Sequence, residues 1–124
     1  MIPNKPREGA GLFVISPNLD RVLVLDAGEY LDVPKGVRER GEPLLQTALR
    51  EIWRECGIQL SESDLVTTDS YRIGSLTMFL AMSSNKPAGR NQKSAMYVPW
   101  RTLEEGCEDF LYPAVQWAKE KSYE

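Results

Sequence analysis

The sequence predicts an α/β fold in which a mixed β-sheet is flanked by helices. Three observations carry that prediction. Short apolar runs bounded by Pro, Gly, Asn and Asp occur before residue 34 and again between 65 and 100. A helix-period apolar pattern follows each of these groups, at 43–56 and at 112–121. The chain has 124 residues, 42% hydrophobic and 27% charged, which suits one globular domain over 1–124 with a core of its own. The order β-rich, helix, β-rich, helix implies helices on both faces of the sheet.

Taken in chain order, residues 1–9 are polar with two prolines and read as an irregular lead-in. Ala10–Ser16 (AGLFVIS) is a short apolar strand, Pro17-Asn18 with Asp20 marks a turn, and Arg21–Asp26 (RVLVLD) is the second arm of a hairpin. Leu31–Val33 is extended and stops at Pro34. Pro43–Cys56 is the clearest helix. Pro43 suits its first turn, Gly57 its C-terminal stop, and Leu45, Ala48, Leu49, Ile52 and Cys56 fall on one face. Leu65–Arg72 and Ser75–Met82 read as strands around Gly74. Asn85–Ser94 is a polar loop and Ala95–Trp100 is extended. Thr102–Glu105 is a helical turn and Tyr112–Lys121 a closing amphipathic helix.

Composition excludes several kinds of chemistry. There is no His, so Ser-His-Asp and Cys-His nucleophiles and imidazole–metal ligation are all absent. The two cysteines, Cys56 and Cys107, make neither a disulfide framework nor a CxxC zinc site. Any metal is therefore held by oxygen, which favours magnesium, calcium or manganese. A net charge of −3 argues against a broad nucleic-acid surface. The apolar runs are far shorter than the ~18 residues of a membrane span, and the N-terminal stretch MIPNKPREGAG has no signal-like apolar core. These features predict a cytoplasmic protein with no membrane association.

The chemistry concentrates in residues 34–58, PKGVRERGEPLLQTALREIWRECGI. Glu51 and Glu55 stand four apart on the helix, so their carboxylates share a face, taken to lie opposite Leu45, Ala48 and Ile52. Arg54 lies about 60° round the helix from Glu51. Glu39 and Glu42 precede the helix, interleaved with Lys35, Arg38 and Arg40. Carboxylates beside a Gly-bearing loop can hold a hard divalent cation, which in turn holds phosphate and acidifies water. The plainer reading of a bare Glu pair is a solvated helix face with Arg50 and Arg54 as partners.

This stretch resembles the Nudix box, G-x5-E-x7-R-E-U-x-E-E-x-G-U with U apolar. Gly36, Glu42, Arg50, Glu51, Ile52, Glu55, Gly57 and Ile58 fall in register. Arg54 stands where the box has a third glutamate. The resemblance implies the Nudix α/β/α sandwich. It implies Mg2+ or Mn2+ held by Glu51, Glu55 and the Gly36 carbonyl, with Glu42 and Arg50 bracing the loop–helix junction and Gly57 closing the helix. YLDVPKGVRERGE is similar to the form found in dinucleoside polyphosphate hydrolases, with relatives among RNA 5′-pyrophosphohydrolases. Arg7-Glu8-Gly9-Ala10-Gly11 resembles that group's R-x-x-A-G entry, and Trp100–Glu105 its W-x-x-L-E-E segment.

The resemblance implies hydrolysis of a phosphoanhydride in a nucleoside diphosphate linked to another group. Diadenosine tetraphosphate leads, RNA 5′-triphosphate or capped ends come second and an inositol pyrophosphate third, with nucleoside triphosphates also open, and a catalytically weakened nucleotide-binding module is the rival. Glu51, Glu55, Glu39 and Arg54 are the candidate catalytic residues. No acid occurs between Asp69 and Glu104, so the late glutamate of diadenosine-type relatives is missing. The base is then Glu55, Glu39 or a metal-bound hydroxide. Arg7, Lys35 and Arg54 are phosphate candidates, with Arg38 and Arg40 in reserve. Tyr30, Tyr71 and Tyr97 are candidates for base stacking, with Tyr71 preferred. Trp53 and Trp117 are read as packing, and Cys56 as buried rather than nucleophilic. Oligomeric state leaves no mark on the sequence.

Overall fold

The structure, a computed structural model, describes residues 7–88 and 94–124. Strands β1 (Gly9–Ile15), β2 (Arg21–Asp26), β3 (Leu31–Asp32), β4 (Lys35–Val37), β5 (Tyr71–Ile73), β6 (Leu76–Met82) and β7 (Ser94–Pro99) form one sheet. Helix α1 (Leu44–Cys56) lies on one face, and α2 (Trp100–Gly106) with α3 (Tyr112–Ser122) on the other. β1 pairs with β6 in parallel from Gly9↔Leu76 to Ile15↔Met82, while the other ladders are antiparallel. The sheet is mixed and covered on both faces, as the sequence predicts.

Burial on both faces explains why β1 and β2 are continuous apolar runs rather than alternating ones. Phe13, Ile15, Val22, Val24, Met78 and Leu80 pack against Leu103, Leu111, Ala114, Val115 and Ala118. Ala10, Leu12, Val14, Leu23, Leu25 and Ala81 pack against Ala48, Ile52, Cys56 and Ile58 of the box helix and its exit.

The expected 10–26 hairpin is corrected in a way that builds the site. β1 and β2 share one register pair, Ile15↔Val22, and then splay apart. The segment 31–37 fills the opening, with β3 pairing to β2 and β4 to β1. Pro34 sits between the two short strands. It has no N–H to give, but its carbonyl accepts from the Leu12 amide at 3.0 Å. The chain therefore does not stop being a strand at Pro34. It changes partner there, and Lys35-Gly36-Val37 becomes a strand beneath α1.

The second correction concerns 65–72. Only Tyr71–Ile73 is strand; Glu62–Asp64 is a 3₁₀ turn with a Ser61/Asp64 capping box, and Leu65 makes an isolated bridge to Ala81. Short polar side chains compete for the backbone here, as in the Asp69 amide bonding Thr67 Oγ1 at 3.1 Å. Among the described residues no helix is long and apolar enough to cross a membrane.

Candidate active site

The site forms where β4 runs beneath α1. The helix begins at Leu44, one residue after the predicted start, because Pro43 keeps an extended ψ of 143° and serves as the cap. Pro43 has no side-chain oxygen to cap with, and the neighbouring Glu42 secures the junction instead. Its Oε1 accepts from the Glu39 amide at 3.1 Å and from Thr47 Oγ1 at 2.8 Å. At the far end Gly57 adopts φ 67° and donates to the Trp53 carbonyl, a left-handed stop that favours glycine.

Arg50 joins the helix to the strand. It donates to Glu42 Oε2 (2.8 Å) and Oε1 (2.9 Å), to the Val37 carbonyl (3.0 Å) and to Glu51 Oε2 (2.7 Å). These bonds hold the Glu42 carboxyl down at about 2, chiefly through the Arg50 guanidinium, and raise the Arg50 pKa in return.

Thr47, Glu51 and Glu55 form a buried row beside the apolar row Ala48, Ile52 and Cys56. The carboxylates thus lie next to the apolar face, about 100° round the helix, not opposite it. Glu51 is 3% exposed and Glu55 is 6%. This burial removes the reading of a solvated helix face, since ionised side chains are buried only when they have partners. Glu55 Oε1 accepts from the Lys35 amide at 3.0 Å. Glu51 lies so close under Gly36 that a Cβ there would stand 2.4 Å from its Cδ. Both carboxylates therefore meet the Lys35–Gly36 backbone. The bonds Leu12 N–H to Pro34 O and Arg38 N–H to Glu8 O make Ala10/Gly36 the intervening hydrogen-bonded pair of the ladder.

Arg54 occupies the remaining side of Glu51. Its Nε donates to Glu51 Oε1 at 2.9 Å and one terminal nitrogen to the same oxygen, which raises the Arg54 pKa. Both oxygens of Glu51 are thereby bonded to guanidinium groups. Among the described residues no three Asp, Glu, Cys or His side chains converge as a metal cage. A cluster of several divalent ions needs an excess of carboxylate oxygens, and this donor set does not supply one. What the chain offers a single cation is the Glu55 carboxylate, the Gly36 backbone and whatever share of Glu51 the two arginines release.

The other predicted site residues divide. Lys35 is turned to structure: its Nζ bonds Asp32 Oδ2 at 3.0 Å, and the other oxygen of this buried acid accepts the Val33 amide. The only local mark of Asp32 in the sequence is its i, i+3 spacing to Lys35. Tyr71 packs its ring on Trp117, centroids 5.8 Å apart, in the core shared with α3 and away from the carboxylates. Tyr97 gives its hydroxyl to the Asn85 carbonyl at 3.0 Å. Cys56 is buried and its thiol is pushed up to about 12, mainly by desolvation, which suits packing. Glu39 is exposed, with Arg50 at 3.8 Å. Arg7, Arg38 and Arg40 line a cleft beside the carboxylates together with Arg72, which no motif in the sequence marks. Asn91-Gln92-Lys93, where the late glutamate is missing, lie outside the described residues.

The fold agrees with what known proteins show. Residues 5–118 match the model of the NUDIX domain. No curated protein sequence gives a significant match. Solved structures superpose over nearly the whole chain. One is a MutT structure from work on Aliivibrio salmonicida and Vibrio cholerae, with a TM-score of 0.75, 18% identity, and 94% of this chain and 98% of that one covered. The Ap4A hydrolase of C. elegans gives 0.68 at 18% identity, covering 88% and 93%. A Nudix hydrolase of M. smegmatis, RenU, gives 0.70 at 15% identity, covering 94% and 86%. At such identities the likeness speaks for the fold, and the match over 5–118 speaks for the family. The chain belongs to the NUDIX domain family, the family of phosphoanhydride hydrolases.

Proposed function

We propose that this chain hydrolyses a phosphoanhydride in a nucleoside diphosphate linked to a second group, with dinucleoside polyphosphates such as diadenosine tetraphosphate as leading substrates. The observation that carries this reading is the burial of Glu51 and Glu55 against the Lys35–Gly36 backbone. Two carboxylates buried side by side at a glycine strand cost desolvation even when paired, and such placements cluster where carboxylates serve a ligand or a reaction. The C. elegans structure described as an Ap4A hydrolase is compatible with the substrate. RNA 5′-triphosphate ends and nucleoside triphosphates are the alternative substrates, and the cytoplasm is the proposed location.

The residues divide the labour as follows. Arg50 and Glu42 fix the helix against the strand. Glu55, held by the Lys35 amide, is the candidate base, with exposed Glu39 as the alternative. Arg54, its side chain 57% exposed, keeps one terminal nitrogen beyond those bonded to Glu51 and can donate from it to a phosphate oxygen. A Mg2+ or Mn2+ ion at Glu55 and Gly36 would neutralise charge developing on the phosphate and acidify a water. The test is nucleotide release from diadenosine tetraphosphate with either ion. Absence of turnover with this and every alternative nucleotide would sink the reading.

A second reading, a nucleotide-binding module with weakened catalysis, draws on the two guanidiniums that take both oxygens of Glu51. It requires that nucleotide raise the melting temperature without turnover. Arg54→Glu separates the two. If Arg54 is a lost ligand, the change raises Mn2+ binding and turnover together. If Arg54 holds phosphate, turnover falls.

A further inference from the structure

Beside the carboxylate site lies an open cleft of about 810 Å3, formed where the start of β1, the loop after β4 and the β5–β6 turn meet. Arg7, Arg38, Arg40 and Arg72 line it, with Glu8 and Glu39. Four guanidiniums against two carboxylates leave a local positive excess in a chain whose net charge is −3. None of its lining side chains is aromatic, so the cleft is shaped for charge and not for a base. We infer that this arginine cleft binds the phosphate chain of a small nucleotide polyphosphate, taking the phosphates that extend away from the bond being cleaved. The inference rests on the hydrolase reading for its biological substrate, but the binding stands or falls by itself.

The cleft is organised for such a ligand. Arg72 is aimed by its Nε bond to the Gly74 carbonyl at 2.9 Å. The Arg38 backbone is pinned by the Glu8 carbonyl at 2.9 Å. The Glu8 carboxylate bridges the two guanidiniums, 3.1 Å from Arg38 and 3.6 Å from Arg72, where an anion between them would sit. A phosphate carries more charge and more acceptor oxygens than this carboxylate and displaces it. Arg7 and Arg40 have no acidic partner among the described residues and remain available. The cleft is also contiguous with the chemistry. Glu39 lines it and lies 3.8 Å from Arg50, which holds Glu51 at 2.7 Å. A phosphate chain reacting at Glu51 and Glu55 therefore runs on toward Arg38 and Arg72.

The test is calorimetric titration of the whole protein with inorganic tripolyphosphate, at low salt and with a chelator present. Wild type should bind, and binding should weaken as salt rises. Arg38→Gln combined with Arg72→Gln should weaken it at least about tenfold. Glu8→Gln, which removes the competing carboxylate, should tighten it. No binding, equal binding by the double variant, or no gain in Glu8→Gln would overturn the inference. Arg40→Gln, a change at an exposed side chain, carries the same expectation should the double variant fail to fold. Tighter capture of a 5′-triphosphorylated hexaribonucleotide than of diadenosine tetraphosphate would overturn the small-nucleotide assignment. Tripolyphosphate binding with these variant effects but no nucleotide turnover would leave the cleft standing and remove the hydrolase reading. Turnover of diadenosine tetraphosphate with KM unchanged in the double variant would do the reverse.

Discussion

Helices α1 and α3 cover opposite faces of one sheet, yet they bury different chemistry. α3 sets Ala114, Val115, Ala118 and Ser122 against the sheet, small side chains that let the helix lie close. α1 buries an apolar row, Ala48, Ile52 and Cys56, and beside it the charged row ending in Glu51 and Glu55. A helix that needed only to close a core would carry no buried carboxylates. The second row commits α1 to the strand below it through Arg50, and it costs desolvation that α3 never incurs. The difference separates a face that holds the fold together from a face that holds a site.

Four experiments bear on that division, beginning with the largest effect. Arg50→Ala leaves Glu42 and the buried Glu51 without their common partner, and should cost about 2–4 kcal/mol in urea unfolding. A loss under about 0.5 kcal/mol would mean the charged row is not what ties α1 to β4. Gly36→Ala drives a Cβ into a Glu51 carboxylate that two arginines hold in place. It should lower turnover about a hundredfold by misplacing that group, and unfolding will show about 1–3 kcal/mol lost to overpacking. Wild-type rates in this variant would remove Glu51 from the chemistry.

On the opposite face, Ala118→Leu overfills a fully buried position and should cost about 1–3 kcal/mol with KM unchanged. Altered KM in a still-folded variant would erase the distinction between the two faces. The smallest effect is a pH dependence. The Glu42 carboxyl falls from 4.5 to about 2 on folding, so the stability it lends is complete above about pH 4.5 and is lost as pH drops toward 2. Glu42→Gln should flatten that part of the acid-unfolding curve. An unchanged curve would assign the acid sensitivity elsewhere.

Much of this was legible in the sequence because its signals are local. The 43–56 periodicity, Gly57 as the stop and the apolar runs of β1, β2 and β6 depend on neighbours within a few residues. One strand prediction held only in part and another failed, both where pairing is decided at long range. The β1–β2 hairpin opened to admit residues 31–37, and 65–70 lost its ladder to short polar side chains. The same limit applies to the site. Spacing placed Glu51 and Glu55 on one helix face but could not say that the face is buried, nor that Lys35 belongs to Asp32 and Tyr71 to Trp117. Arg72 joined Arg7, Arg38 and Arg40 only when β5 returned beside β1's end of the sheet.

By itself the sequence determined the family motif, the helix that bears it and the arginine at position 54, because each is fixed by residue identity and helical period. The tertiary structure alone decided that Arg54 pairs with Glu51 and that arginines from three separate stretches of the chain share one cleft. Ion pairs and clefts depend on which backbones lie within a few ångströms of each other, and strand pairing across the sheet sets that distance.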